Sequence, residues 1–494
     1  MRTDRAVLEG LFRRPCVHMW LQAALVVAAG SLLAAFSERI YVNNGLGWDG
    51  GVYAHLALRF DEFLATGKPP YPVSYFRYLP SALVFLVMKA SGAAMTVPGV
   101  IVAFQAVNIA LYALMALAWN GIASTLGIGP RGSWTGFLFL FVNYAVLKFS
   151  FYYPTLTDSH GLAYATFMLW AYVAGRRWTL VLLSAAGLFV WPTLLPVGAC
   201  LAFFPRKDLS GGKPRPWIAG LVALAALAGA ARLVRVVWVE GVEQVFYTML
   251  PLSFALSFLF LGALLFSVWS ARGLFETSRS RREMLLTCAG LALAALGLVL
   301  LDRLAPETFD TLRCYAREVL LHGSRRPLEF LVAHTLYLGP VWLVALCMPL
   351  RAGAGVARLG WGMALAVTLM GFQAINPLTR QCIVILPFLT LLAVLALEDL
   401  RPGKWFLAGF TLLSLLFSKV WYRMNYNVDT SVSGEVNPVF WPRFTDSTGY
   451  YMKTPDYAVQ GAFLLFCLAF LFLYFRTVPR APEDKASQGG HRAP

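Results

Sequence analysis

Leu79-Pro80-Ser81-Ala82-Leu83-Val84-Phe85-Leu86-Val87-Met88-Lys89-Ala90-Ser91-Gly92-Ala93-Ala94-Met95-Thr96 decides how this chain is arranged. It is apolar enough to enter a bilayer, yet Lys89 and the Ser91-Gly92 pair interrupt it. Counted as a crossing, it moves everything downstream to the opposite side. The basic residues argue against that count. If 79–96 stays in or on the outer leaflet, the cytoplasmic segments are 1–15, 121–133, 176–178, 205–216, 271–283, 350–359, 399–404 and 476–494. These hold most of the 41 lysines and arginines, and most of them are very short. Short basic loops are the strong determinants of orientation, and long loops the weak ones. Both termini are then cytoplasmic.

Working outward, 59% of the 494 residues are hydrophobic and 13% are charged. A typical soluble domain carries about 25% charged residues, so lipid is the expected solvent for much of the chain. The net charge of +16 does not indicate nucleic acid, because the basic residues sit in clusters between apolar runs. Of the seven cysteines, Cys16, Cys200, Cys288, Cys347, Cys382 and Cys467 lie in or beside apolar segments, and only Cys314 lies in a polar loop. Neither a disulfide framework nor a zinc site is indicated. After Arg2, Arg5, Arg13 and Arg14, the run from Cys16 to Phe36 reads as an uncleaved anchor, with Ala34 and Ala35 leaving cleavage as the alternative.

Apolar stretches long enough to span fall near 16–36, 98–120, 134–152, 159–175, 217–238, 250–270, 284–304, 328–349, 360–375, 380–398, 404–421 and 457–476. The stretch 178–205 reads as two short helices around Trp191-Pro192. The expected fold is an all-α polytopic membrane protein of about fourteen crossings. Three outer loops connect them, at 37–97, 305–327 and 422–456, and the polar tail 477–494 reads as disordered. The near absence of midplane acids counts against an ion-coupled transporter. No P-loop, GxSxG or HExxH motif is present.

The first outer loop carries Gly47-Trp48-Asp49-Gly50-Gly51-Val52-Tyr53-Ala54-His55. Apolar residues at Tyr53, Leu56, Ala57, Phe60 and Leu64 recur at helical spacing, which predicts an amphipathic helix on the membrane surface, ended by Gly67. Asp49 is either a plain N-cap of that helix or a reactive carboxylate. The flanking glycines leave room for a ligand at the backbone, and Trp48, Tyr53 and His55 are candidate substrate contacts. Asp158 has the same two readings in Tyr152-Tyr153-Pro154-Thr155-Leu156-Thr157-Asp158-Ser159-His160. His160 orients a hydroxyl, ligates a metal or merely faces water, the last being the commonest fate of a lone histidine. Arg77, His322, Arg325, Arg326 and Arg380 are candidate anion binders, with headgroup contact as the plainer alternative.

Trp48-Asp49-Gly50 after the first span, the helix that follows, Pro-flanked Arg77 and the second outer turn with Asp158 together resemble the GT-C superfamily of polyprenyl-phosphate-sugar-dependent glycosyltransferases. The resemblance covers residues 1–240 or so, the expected conserved module. Within 241–476, only Arg380 before Pro387 resembles the family's later helices. It implies a GT-C-like bundle with its site at the outer, periplasmic face of a bacterial inner membrane. It implies a polyprenyl-phosphate-linked sugar donor and a lipid-linked, glycan or protein acceptor. By the same resemblance, Asp49 is the general base or acceptor-positioning residue, and Asp158 assists the acceptor or a metal. Two departures matter. The first loop holds a single acid rather than an acidic pair, which speaks against a required divalent metal. The third outer loop is short, which speaks against an oligosaccharyltransferase. A lipid-linked saccharide flippase and an envelope polysaccharide polymerase or ligase are the alternative readings.

Overall fold

The structure, a computed structural model, describes residues 15–68, 77–208, 251–270, 325–398, 403–425 and 454–478, with single positions between them. Most of the expected span at 217–238, the expected span at 284–304, most of the loops 305–327 and 422–456, and nearly all of the basic N-terminus and the tail lie outside the described residues. Among the described residues every regular element is a helix. The elements used below are α1 (Pro15–Phe36), α2 (Asp49–Leu58), α3 (Phe60–Thr66), α4 (Tyr78–Ser91), α5 (Val97–Thr125), α6 (Pro130–Phe141) and α7 (Ala145–Tyr152). They continue with α8 (Asp158–Val173), α9 (Arg177–Leu188), α10 (Leu194–Phe203), α11 (Pro251–Ser270), α12 (Glu329–Leu338) and α13 (Val341–Cys347). The last are α14 (Pro349–Leu359), α15 (Trp361–Gln373), α16 (Thr379–Glu398), α17 (Lys404–Ser418) and α18 (Thr454–Thr477).

Five of these helices are long and apolar enough to cross a bilayer, and seven spans result if the bent pairs α6–α7 and α13–α14 each count as one. Their length and composition are those of a membrane protein. The remaining expected crossings that the structure describes form shorter helices. Pro192, which has no N–H to donate, separates α9 from α10, and the two pack on each other as the Trp191-Pro192 corner predicts. The apolar stretch 328–349 is one expected span, but Gly339 at φ +84° and Pro340 divide it into α12 and α13. The segment 350–359, read from the sequence as a connection, is instead the helix α14, bent 96° from α13.

The deciding stretch forms α4, a helix of 14 residues. At 1.5 Å per residue it is about 21 Å long, short of a hydrocarbon core of about 30 Å. Gly92, at φ +68°, ends it in the left-handed conformation that a side chain disfavours. Thr96 then starts α5, its Oγ1 accepting the Gly99 amide at 3.3 Å, with Pro98 in the first turn. The first-loop helix forms as two pieces, α2 and α3, broken at Arg59. Tyr53, Leu56, Ala57 and Phe60 are buried by protein, and only Leu64 of the apolar stripe is exposed. α2 packs against α4 and α5, with Ser81 Oγ donating to the Tyr53 carbonyl at 2.9 Å. This docking fixes the start of α2, where Asp49 lies. Behind it α5 packs along both α1 and α8, and α8 in turn contacts the first turns of α16. The beginnings of α2, α8 and α16 thereby meet.

Candidate functional site

Three residues far apart in sequence converge at that meeting point. Arg380 donates to Asp158 through one edge of its guanidinium, Nε to Oδ1 at 3.1 Å and Nη2 to Oδ2 at 3.4 Å. Arg380 Nη1 lies 3.6 Å from Asp49 Oδ2. The two acids differ sharply in exposure, the Asp158 side chain being 5% accessible and the Asp49 side chain 61%. Neither acid is a helix cap. Trp48 and Thr157 occupy the residues before α2 and α8, and Asp49 and Asp158 open the first turns. Both carboxylates therefore sit at the positive end of a helix.

The turn that presents Arg380 is held from several sides. The two ring nitrogens of buried His334 contact Thr379 Oγ1 at 3.0 Å and the Ala374 carbonyl at 2.7 Å. Asn376 accepts the Leu378 amide and donates to Gln381. The guanidinium also lies over the Phe149 ring, 5.7 Å from its centroid. A residue so fixed gives Arg380 a defined direction, which is what bidentate pairing requires.

The glycines beside Asp49 serve a different purpose from the one the sequence suggests. The Gly50 amide donates to the Tyr153 hydroxyl at 2.8 Å. A Cβ at Gly50 would overlap Tyr153 and Thr155, and one at Gly47, which has φ +65°, would overlap the Tyr153 ring. The space they open is filled by the 153–155 turn rather than by a ligand. Burial pushes the Tyr153 phenol well above its ordinary pKa, so it stays protonated. This contact fastens the Asp49 turn to the Asp158 turn.

A second polar node holds the neighbouring loop. Lys148 Nζ donates to Glu38 Oε1 and to the Tyr422 carbonyl, each at 2.8 Å. Glu38 also accepts the amides of Met424 and Asn425, and Tyr152 donates to Asn425 Oδ1 at 2.9 Å. Burial opposes ionisation of Glu38, but the Lys148 hydrogen bond and the two amides outweigh it and lower its pKa below 4.5.

The other residues singled out in the sequence disperse. Trp48, 45% exposed, stands beside Asp49. Tyr53 is in the core, so its ring is not an open platform. His55 is half-buried further along α2. Arg77 stacks on Trp191, 4.0 Å from the ring centroid. His322 is buried, and Arg325 is half-buried nearby in the chain. Arg326 is engaged by Glu329 Oε1 at 3.0 Å, by the Met452 carbonyl at 2.6 Å and by Thr454 at 3.2 Å, so it joins the start of α12 to that of α18. His160 is buried, and neither ring nitrogen has a hydrogen-bond partner. Sequence reasoning did not assign roles to Glu38, Lys148, Tyr153 or His334. Only Tyr153, within the same motif as Asp158, carried a signal.

The donor set does not suit a resident divalent cation. The guanidinium lies between the two carboxylates, and among the described residues no group of three His, Cys, Asp or Glu side chains comes together. The arrangement suits a different chemistry, with one exposed carboxylate, one buried carboxylate and a cation paired with both. No family model, curated protein or solved structure matches the chain.

Proposed function

We propose that the chain is an integral membrane glycosyltransferase with a GT-C-like bundle of about fourteen crossings. It moves a sugar from a polyprenyl-phosphate carrier to an acceptor hydroxyl at the outer, periplasmic face of a bacterial inner membrane. The observation that carries this reading is the joining of Asp49 and Asp158 through Arg380 at one point. Dispersal of the three would have left each as an ordinary surface or capping residue.

In the proposed step the acceptor hydroxyl oxygen bonds to the anomeric carbon while that carbon's bond to the carrier phosphate breaks. The proton passes to the Asp49 carboxylate, and the electron pair leaves on the polyprenyl phosphate. Asp49 suits the base because it is the accessible acid. Asp158 suits the counter-ion that keeps Arg380 charged and aimed. Nη1 of Arg380, 3.6 Å from Asp49, would turn to the leaving phosphate as the acceptor proton neutralises that carboxylate, supplying charge where it develops. Placement at the membrane surface lets the carrier tail remain in hydrocarbon. A flippase would need a cation-lined path between the faces, and a polymerase or ligase would use further arginines. The engagement of Arg326 with Glu329 and of Arg77 with Trp191 favours neither. The test is transfer in reconstituted vesicles. Asp49→Asn is expected to abolish it in a folded protein, and undiminished transfer would refute the mechanism.

A further inference from the structure

Three basic segments that the sequence sets on one side of the bilayer meet where α8, α10 and α14 end. They are 176–178, the described part of 205–216, and 350–359. Their contacts are direct. Arg206 Nη1 donates to the Val173 carbonyl at 3.0 Å, and the Tyr172 hydroxyl donates to the Leu359 carbonyl at 2.7 Å. A Cβ on Gly360 would lie 2.5 Å from the Lys207 carbonyl oxygen, so the backbone at 207 runs against the end of α14. Arg176, Arg177, Arg206, Lys207 and Arg358 are all exposed around this junction. Arg176 stacks on Trp170, 4.9 Å from the ring centroid. Among the described residues none of the five forms an ion pair, and Asp208 is the one acid in these segments. α8 sets the junction apart from the acids. Its 16 residues run from Asp158 to Val173, about 24 Å at 1.5 Å per residue, against a hydrocarbon core of about 30 Å.

Exposed apolar side chains flank these cations. Trp178 and Leu182, one turn apart on α9, follow directly on Arg177, and both are largely exposed. On α14, Leu350, Ala354 and Arg358 share the exposed face. Cations without acidic partners call for anions, and exposed Trp and Leu call for hydrocarbon. Both are met at once where lipid headgroups join their acyl chains. A soluble polyanion would satisfy the cations and leave Trp178 and Leu182 in water.

We propose that this junction is a docking surface for anionic phospholipid headgroups, in the leaflet at the far end of α8 from Asp158. The cations hold the phosphodiester, and Trp178 and Leu182 lie in the acyl chains. The proposal does not depend on sugar transfer, and its test contains no transfer step. Dioleoyl phosphatidylglycerol and dioleoyl phosphatidylcholine are titrated onto the full chain in neutral detergent, and bound lipid is counted by native mass spectrometry. The wild type is expected to bind the phosphatidylglycerol more tightly. Arg177→Gln, Lys207→Gln and Arg358→Gln are the variants, because among the described residues none of these side chains has a hydrogen bond or ion pair. Each alone is expected to weaken phosphatidylglycerol binding by up to about fivefold, and the three together by more than about tenfold. Phosphatidylcholine binding and the lipid-free melting temperature are expected to stay unchanged. The charge-conserving Arg177→Lys with Arg358→Lys is expected to keep the preference. Neutralising Arg59, Lys68 and Lys89 of the first loop removes equal charge elsewhere and is expected to keep it too. Trp178→Ala is expected to weaken both lipids alike, since it removes an acyl-chain contact and no charge. Equal binding of the two lipids by the wild type would overturn the proposal, as would an intact preference in the triple variant. An equal loss in the first-loop variant would make the effect one of net charge and overturn it as well. Undiminished binding by Trp178→Ala would refute a lipid as the occupant.

Discussion

Arg380→Met separates the two acids by consequence. Among the described residues, every hydrogen bond that Asp158 receives from a side chain comes from Arg380, and its own side chain is 5% exposed. Removing the guanidinium leaves a buried carboxylate without a counter-charge, a change that costs about 3–5 kcal/mol. The loss at Asp49 is of another order. That side chain is 61% exposed and 3.6 Å from Nη1, so the pair contributes about 0–1 kcal/mol at most. The expected destabilisation of Arg380→Met is therefore about 4 kcal/mol, nearly all of it through Asp158. Adding Asp158→Leu removes the stranded charge and is expected to recover most of that loss, since replacing a buried ion pair by apolar residues is often close to neutral. Asp49→Asn alone is expected to cost under about 1 kcal/mol. The assay is reversible unfolding in mixed micelles of the four proteins beside the wild type, including Asp158→Leu alone, with transfer measured in vesicles. A cost below about 1 kcal/mol for Arg380→Met, or no recovery in the double variant, would refute the assignment of Asp158 as the buried counter-ion.

Other perturbations probe the frame. Gly50→Ala forces a Cβ into Tyr153 and Thr155 and is expected to cost about 1–3 kcal/mol, with transfer falling further than the folded fraction, measured by unfolding and by initial rates. Arg326→Ala strands Glu329, which is wholly buried, and is expected to destabilise by about 3–5 kcal/mol while transfer per folded molecule is unchanged; a lower rate per folded molecule would give Arg326 a place at the phosphate. Two pH windows are expected in thermal stability. His322 is held down to about 4 by burial and then by Arg325, so the unfolded chain binds its proton first and stability falls as pH drops from 6.5 towards 4. The Glu38 carboxyl is held below 4.5, so its contribution is present above that value and is lost as pH falls through the folded pKa. Glu38→Gln should shrink only the lower window and His322→Phe only the upper, as read from melting temperatures across pH 3–8.

How much was legible varies by element. The Trp191-Pro192 corner was readable because proline's missing donor acts within a few residues. So were the extents of α1 and α11 and the start of α5, where apolar length alone sets the span, although α5 runs on to Thr125 past the expected 120. Gly339-Pro340 carried the same kind of local signal and was absorbed into one expected span, because the apolar run continues through it. The first-loop helix was readable, but its partner was not. Tyr53, Leu56 and Ala57 fit a lipid surface as well as a protein one, and only the packing of α4 decides between them. The glycines at 47 and 50 were read as ligand space because their neighbour, Tyr153, is a hundred residues away in the chain.

By itself the sequence determined that the chain is helical and apolar enough for a membrane, and that acids and arginines lie near the helix ends. Those properties come from local composition and periodicity, which each segment carries alone. Only the tertiary structure decided that Asp49, Asp158 and Arg380 share one point and that Arg326 does not. An ion pair is a property of distance, and distance between positions 49, 158 and 380 is set by how α2, α8 and α16 pack. The same packing also decided where 79–96 lies in the bundle. As a 14-residue helix docked on α2, that stretch leaves the first loop beside the turn that carries Asp158.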